Sequence, residues 1–400
     1  MRKDIVIIGS GFAGMWAALS AARLIRIQGS DKITVTVLSP KAELRVRPRF
    51  YESKVKTLVS PLMPIFNLMD IQFISAKVVA ISTEVQTVNY IDEKGVEAVK
   101  SYDKLVLASG SSLNKNLAVG VDEFAFDIDQ LDSASILEEH LNTLPSKPYS
   151  VARNTVVVCG GGFTGIELAT ELPSRLRSQF SDDSPIHVIV VERGGQIGSN
   201  YSEELQTVIK QASNELGITW MLNADISEIN ADGVLLSNGE LIESETVIWT
   251  AGVQANTLTS LLSSNKGPHG RLVVDPLLQV KGIYNVYATG DVAYVASDDK
   301  GNYALMSCQH AILMGKFAGN NVAASVLNVE PLPYRQENYV TCLDLGSWGA
   351  VFTEGWEQKV KLVREKAKEV KISITNELIY PPKADLVTVM ETADPLAAFV

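Results

Sequence analysis

At 400 residues, 46% of them hydrophobic and 20% charged, the chain has room for two or three domains and the composition of an ordinary globular protein. A net charge of -11 excludes nucleic acid as a partner, which would require a basic footprint. Three isolated cysteines, Cys159, Cys308 and Cys342, exclude a disulfide scaffold and fit a reducing cytosol.

The first predicted strand runs from Ile5 to Ile8. Its early start leaves no room for a signal peptide, and no apolar run reaches the roughly 18 residues needed to cross a bilayer. The expected location is therefore cytoplasmic, with peripheral contact at the inner face of a membrane left open. Gly9, Gly11 and Gly14 follow at once, with Phe12 and Ala13 between them, and an Ala-rich helix comes next. A strand entering a helix through GxGxxG builds an anion site: the glycines admit a pyrophosphate, and free N–H groups and the helix dipole bind its charge. Ala13, Ala17 and Ala21 recur every four residues, which predicts a helix lying close on a sheet.

A second strand, Ile33 to Leu38, ends at Ser39, where such folds usually place an acidic residue on the adenosine ribose; a serine can hydrogen-bond there without charge. Arg45, Arg47 and Arg49 then alternate. Their spacing predicts either a solvated extended segment or, as the preferred reading, side chains directed together at phosphates or an electron-rich ring. A strand from Leu105 leads into Ala108, Ser109 and Gly110, small enough for the chain to pass close to a cofactor. Residues 113–153 read as a connector with one helix, Leu131 to Leu144, and a boundary at Pro145, Pro148 and Ser150.

The strand–glycine–helix unit then repeats as TVVVCGGGFTGIELATE, Thr155 to Glu171, with Gly160, Gly162 and Gly165 in the loop. The next strand, Ile186 to Val191, ends at Glu192, whose carboxylate can accept from both ribose hydroxyls and repel a 2′-phosphate, predicting NADH over NADPH. Glu167, two residues past the loop, is the chemical candidate, directed at the place where nicotinamide and a second cofactor meet. Glu171 is assigned to the favourable charge near a helix N-terminus, and Pro173 is expected to kink or end the helix early. Cys159 is read as packing. Thr246 to Gly252 closes the unit with a strand and a small-residue turn at Gly252, and a further strand ends in ATGD, with Gly290 and Asp291 suited to a cofactor's sugar-like chain or pyrophosphate.

Together, VIIGSGFAG, VVCGGGFTGIELATE, TVIWTAG and YATGD resemble the two-dinucleotide flavoproteins, and among them type II NADH dehydrogenases, over roughly residues 1–325. The resemblance implies an α/β fold of two Rossmann-like dinucleotide-binding domains with a C-terminal α+β cap. It implies FAD on the first loop, NADH on the second, Asp291 on the flavin's ribityl or phosphate region, and Glu167 as the active-site glutamate. The absence of paired cysteines argues against disulfide-reductase relatives, and the position of Cys159 against sulfide:quinone oxidoreductases. In the family an AQxAxQ helix lines the quinone site. Here the stretch is SCQHAIL: Gln309 and Ala311 match, whereas Cys308 and Leu313 depart. His310 is unmatched and is read as a structural helical histidine in preference to a proton relay.

Beyond residue 325, the stretch from Gln358 to Lys371 interleaves apolar and basic residues. It reads as a solvated helix face in preference to a basic helix resting on anionic lipid. Trp348 and Trp356 are expected as a pair, covering the flavin or filling a core. The expected domains are residues 1–115 plus 270–325 for FAD, 150–265 for NADH, and 326–400 as a cap or interface. A homodimer stays open. The expected activity is FAD-dependent NADH dehydrogenation with a quinone or other small organic acceptor, Gln309 orienting the acceptor and Glu167 delivering protons. Two alternatives are a soluble FAD-dependent oxidoreductase of specialised metabolism acting on a non-quinone substrate, and a redox-sensing flavoprotein.

Overall fold

The computed structural model describes residues 2–180, 183–262 and 265–397. Two parallel sheets organise it. In the first, five strands run parallel in the order Val286–Ala288, Lys104–Leu107, Lys3–Ile8, Ile33–Ser39 and Gln72–Ser82. Thr87–Asp92 and Glu97–Ser101 extend its far edge antiparallel. In the second, four parallel strands lie in the order Ile218–Leu222, His187–Glu192, Thr155–Cys159 and Thr246–Trp249. The fold is α/β, as the two β-branched runs entering glycine loops demanded.

The central strands are apolar at every position because both faces are covered. Val156 and Val158 face the core shared with the helix Leu131–Thr143 and with Leu168, Leu172 and Leu176. Val157 and Cys159 face the opposite core, roofed by the antiparallel strands Ile226–Asn230, Gly233–Leu236 and Leu241–Glu243. The helix expected as part of a connector therefore packs on the second sheet.

Two features depart from the expected packing. The alanine stripe of the helix Phe12–Ile27 meets another helix, Cys308–Leu327: a Cβ on Gly315 would lie 2.5 Å from the Ala13 carbonyl oxygen, and one on Gly319 would lie 2.1 Å from that of Ala17. Alanines on one side and glycines on the other bring the backbones into contact. The helix of the second unit, Phe163–Gln179, does not end at Pro173 but continues past it. Leu172 and Leu176 are buried on either side of the proline, and this packing outweighs a lost backbone bond that costs about 3 kcal/mol in an isolated helix.

The sheets are joined by two chain crossings, Ser111–Leu113 and Val253–Ala255, which pair antiparallel. The Asn114 N–H donates to the Gly252 carbonyl at 2.7 Å, and the Asn256 N–H donates to that of Gly110 at 2.9 Å.

The C-terminal region is a meander of Val340–Asp344, Ala350–Glu354 and Lys359–Arg364, followed by the helix Glu365–Ser373. The basic stretch is thus half strand and half helix. Leu343, Leu345, Trp348 and Val351 of the meander share a core with Ile166, Leu205 and Ile209 of the second unit. A last helix, Leu386–Thr392, returns to the helix Phe12–Ile27, where Arg23 donates to the Met390 carbonyl at 2.9 Å and pairs with Asp394. No helix among the described residues is long and apolar enough to cross a membrane.

Candidate functional site

The first glycine loop is built by close approach. Gly9 has φ +106°, and a Cβ there would fall 2.4 Å from the Ala108 carbonyl oxygen; a Cβ on Gly14 would fall 2.0 Å from the Gly9 carbonyl oxygen. A Cβ on Gly290 would lie 2.7 Å from that of Ala13, so the loop, the Ala108 strand end and the Gly290 turn converge. By contrast, Cβ positions at Gly11 and Gly110 point into open space. Ser109 Oγ and Gln309 Oε1 are buried with no hydrogen-bond partner among the described residues. A cradle with open glycines, N–H groups at a helix start and unpaired polar atoms fits the phosphates and ring edge of a flavin dinucleotide.

Around it, Ser111 Oγ donates to Asp291 Oδ2 at 2.6 Å and accepts from Arg47 Nη1 at 2.8 Å, while Arg47 also pairs with Asp129. Burial raises Asp129 above the ordinary carboxylate range, against the opposing pull of Arg47. The other two arginines do not join Arg47: Arg45 pairs with Glu43 at 3.0 Å and Arg49 with Glu52 at 2.7 Å. The reason is the backbone, which turns into a 3-10 helix at Arg47–Arg49 and breaks the alternation that an extended chain would keep. Ser39 is buried and shares a 2.9 Å hydrogen bond with Ser10 inside the first loop.

The second loop repeats the plan, since a Cβ on Gly165 would lie 2.0 Å from the Gly160 carbonyl oxygen, while Gly162 is open. Gly252 turns with φ +77° against Leu117 and Asn114. At the neighbouring strand end the Glu192 carboxylate accepts from the Gly161 N–H at 2.8 Å and the Gly194 N–H at 2.7 Å. Its place is fixed by the loop that would hold the pyrophosphate.

Glu167 is 4% exposed. Its Oε1 accepts from Lys371 Nζ at 2.6 Å and from the Asp344 N–H at 3.1 Å, both from the cap. Burial pushes Glu167 up to about 7, with Lys371 pulling the other way. Burial works against the Lys371 charge as well, but Glu167 beside it holds the ammonium above its ordinary value. A carboxyl so placed can hold or release a proton near neutrality. Cys308, at the start of the helix carrying Gln309, lies within electrostatic range of Lys371, Asp291 and Glu167, and burial pushes its thiol up to about 11. The Gly290 turn thus packs against the Gln309 helix, where a Cβ on Gly290 would lie 3.6 Å from that of Ala311.

Several expectations are corrected here. The basic stretch is solvated only in part: Lys359, Lys361 and Lys366 are exposed, whereas Lys371 is 5% exposed and seated on Glu167. Glu171 lies in the middle of its helix, half-buried within reach of Lys368, and burial raises it above the ordinary carboxylate range. Of the two readings left open for the tryptophans, Trp348 fills a core with Ile166, Leu205 and Leu343. Trp348 lies under the Arg364 guanidinium at 4.2 Å, whereas Trp356 stacks on Tyr339 at 4.5 Å beside His310. His310 is, as expected, structural: it is fully buried and, chiefly through that burial, lowered to about 3, so it is a neutral packing residue at any ordinary pH. Sequence reasoning missed Lys371, Lys368, Asp344 and Tyr51; the one local signal was lysines three apart at 368 and 371, on a single helix face.

Comparison with known proteins agrees with this layout. Residues 3–315 match the pyridine nucleotide-disulphide oxidoreductase family. The NADH dehydrogenase-like protein Rv1812c of Mycobacterium tuberculosis (strain ATCC 25618 / H37Rv) is 40% identical over 392 residues, covering 96% of each chain. The demethylphylloquinone reductase NdbB of Synechocystis sp. is 27% identical, covering 88% of this chain and 87% of that one. Among solved structures, NDH2 from Plasmodium falciparum in complex with NADH superposes with a TM-score of 0.80 at 16% identity over 100% of both chains.

Proposed function

We propose that this chain, which belongs to the pyridine nucleotide-disulphide oxidoreductase family and is an NAD(P)H oxidoreductase, is an FAD-dependent NADH dehydrogenase with a quinone acceptor. The observation carrying this reading is a pair of glycine cradles, the second opening the helix that carries a buried, cation-paired carboxyl, Glu167. Residues 1–115 with 270–325 would hold FAD through Gly9, Gly11, Phe12, Ala13, Gly14, Ala108, Ser109, Gly110, Gly290 and Asp291, with Arg47 and Ser39 behind the cradle. Residues 150–265 would hold NADH through Gly160, Gly162, Gly165 and Gly252, and residues 326–400 would cap the site. Glu192 would accept from the ribose hydroxyls and repel a 2′-phosphate, favouring NADH. FAD, when bound, supplies the two-electron carrier between NADH and the acceptor.

The chain's own part is positioning, exclusion of water and proton supply. The sum of the reaction is NADH, a proton and a quinone giving NAD⁺ and a quinol, and Glu167 is the group whose proton affinity suits delivery to the quinone oxygen. Gln309 would orient that oxygen. A lipid-dissolved quinone would be met at a membrane surface; exposed Ile372, Leu378, Val387 and Leu396 on the cap and tail support such contact.

Cys308 and Leu313 on the acceptor side favour one other reading, reduction of a non-quinone organic acceptor. One experiment tests both: the purified yellow protein is bleached anaerobically with NADH and offered menadione, a ubiquinone analogue and other acceptors. Rapid reoxidation by quinones is expected, falling about a hundredfold in Glu167→Gln. Bleaching without quinone turnover would transfer the assignment to the second reading, and a colourless protein would remove the flavin.

A further inference from the structure

Glu167 does not stand alone with Lys371. A second carboxylate, Asp344, equally buried at 4% exposed, is held beside it and has its own lysine: Lys368 Nζ reaches Asp344 Oδ1 at 2.6 Å and Oδ2 at 2.8 Å. Lys368 and Lys371 are three residues apart on the helix Glu365–Ser373, so one helix face sets two ammonium groups against two carboxylates, one to one.

The arrangement is rigid. The Asp344 N–H donates to Glu167 Oε1 at 3.1 Å, so the backbone that carries one carboxylate grips the other. Two residues on, Gly346 turns with φ +60°, and a Cβ there would fall 2.0 Å from the Thr170 carbonyl oxygen on the Glu167 helix. Only glycine lets the turn seat this deeply. Gly346 N–H and Tyr51 O–H donate to Asp344 at 2.9 and 3.0 Å, completing its shell. The groups facing Glu167 are then Lys371 from the helix, Asp344 and Cys342 from the meander, Tyr51 from the turn after Arg49, Tyr201 from the loop before the next helix, and Cys308 from the Gln309 helix, while Lys368 faces Asp344 and Glu171.

We propose that Asp344 and Lys368 are positioning residues that set the proton affinity of Glu167 by fixing a compensated charge beside it. Asp344 opposes ionisation of Glu167 through its charge, and by occupying Lys368 it leaves Lys371 as the single cation on Glu167. Neither residue needs to touch substrate for this. The inference rests on the proton role given to Glu167 above.

Opposite signs distinguish it from a structural effect. In Asp344→Asn the negative charge beside Glu167 is gone and Lys368 keeps only Glu171 within reach, so Glu167 ionises more readily; the pH limb on which quinone turnover falls should move about one unit lower. In Lys368→Met, Asp344 is left uncompensated, and the limb should move higher by a similar amount. The double variant, with both charges gone, should return toward the wild-type position. The limb is read as the ratio of quinone to ferricyanide reduction by NADH, because ferricyanide takes electrons without protons. An infrared titration of the Glu167 carboxyl, assigned by its loss in Glu167→Gln, gives the same midpoint without turnover.

A wild-type protein with no such limb would defeat the proton role of Glu167 itself. A limb that stays put, or moves the same way in both single variants, would defeat the inference and leave that role standing. Lys368 is at the rim, with its side chain 31% exposed, so its variant remains informative should Asp344→Asn fold poorly.

Discussion

The two glycine loops are nearly the same object, yet their surroundings differ in kind. Both place a parallel strand before the loop and a helix after it, and in both a Cβ on the last glycine of the motif would fall 2.0 Å from the carbonyl oxygen of the first. The first helix then closes against a second helix through alanine and glycine backbones, and its neighbouring strand ends in a serine turned inward to Ser10. The second helix closes against the cap, which lays Lys371 and Asp344 on Glu167, and its neighbouring strand ends in a carboxylate that holds two loop N–H groups. A glycine loop is thus a generic anion seat, and its chemistry is decided by what covers the helix behind it. One covering is a packing joint and the other is a charged site.

Perturbing the packing joint should have the largest effect on folding. Gly319→Val places methyls where the Ala17 carbonyl already stands, and should cost more than about 3 kcal/mol, read as a drop in Tm with loss of yellow colour. The charged site should respond to pH instead. Glu167 has its carboxyl raised from 4.5 to about 7 by burial, so the folded state binds the proton more tightly than the unfolded one. Its stabilising contribution is present below pH 4.5 and lost as pH rises through about 7, roughly 3 kcal/mol in all. Glu167→Gln should flatten that slope in denaturant titrations at a series of pH values; an unchanged slope would mean that Glu167 is not the group responsible.

The two strand ends sharpen the contrast further. Glu192→Ala should weaken NADH by tenfold or more, about 2 kcal/mol, and narrow the preference over NADPH, read from KM for each cofactor. Ser39→Ala removes one neutral hydrogen bond and should cost no more than about 1 kcal/mol in Tm, with no change in the NADH to NADPH ratio. If the Ser39 variant shifted that ratio as well, the division of labour between the two loops would be wrong.

The sequence by itself determined the loops, the strands entering them and the α/β class, because these follow from local rules. A β-branched run can be buried on both faces only in a covered parallel sheet, and a GxGxxG spacing is needed wherever a helix start must approach a strand end. Residues a turn or two apart carry that information, so Gly9 to Gly14, Gly160 to Gly165 and Glu192 were legible, as was Glu167 as a candidate. Local rules misjudged Pro173, Glu171 and the three arginines, where packing or a short helical turn overrode propensity and spacing. The charge environment of Glu167 was out of reach altogether. Lys371 is 204 residues further along and Asp344 is 177, so no periodicity links them to the loop. Only the tertiary fold, by laying Lys368 and Lys371 of one helix face on two buried carboxylates, turned part of a run that looks solvated into the partner of Glu167. Burial in low dielectric is what made those lysines matter, and burial is a property of the whole chain.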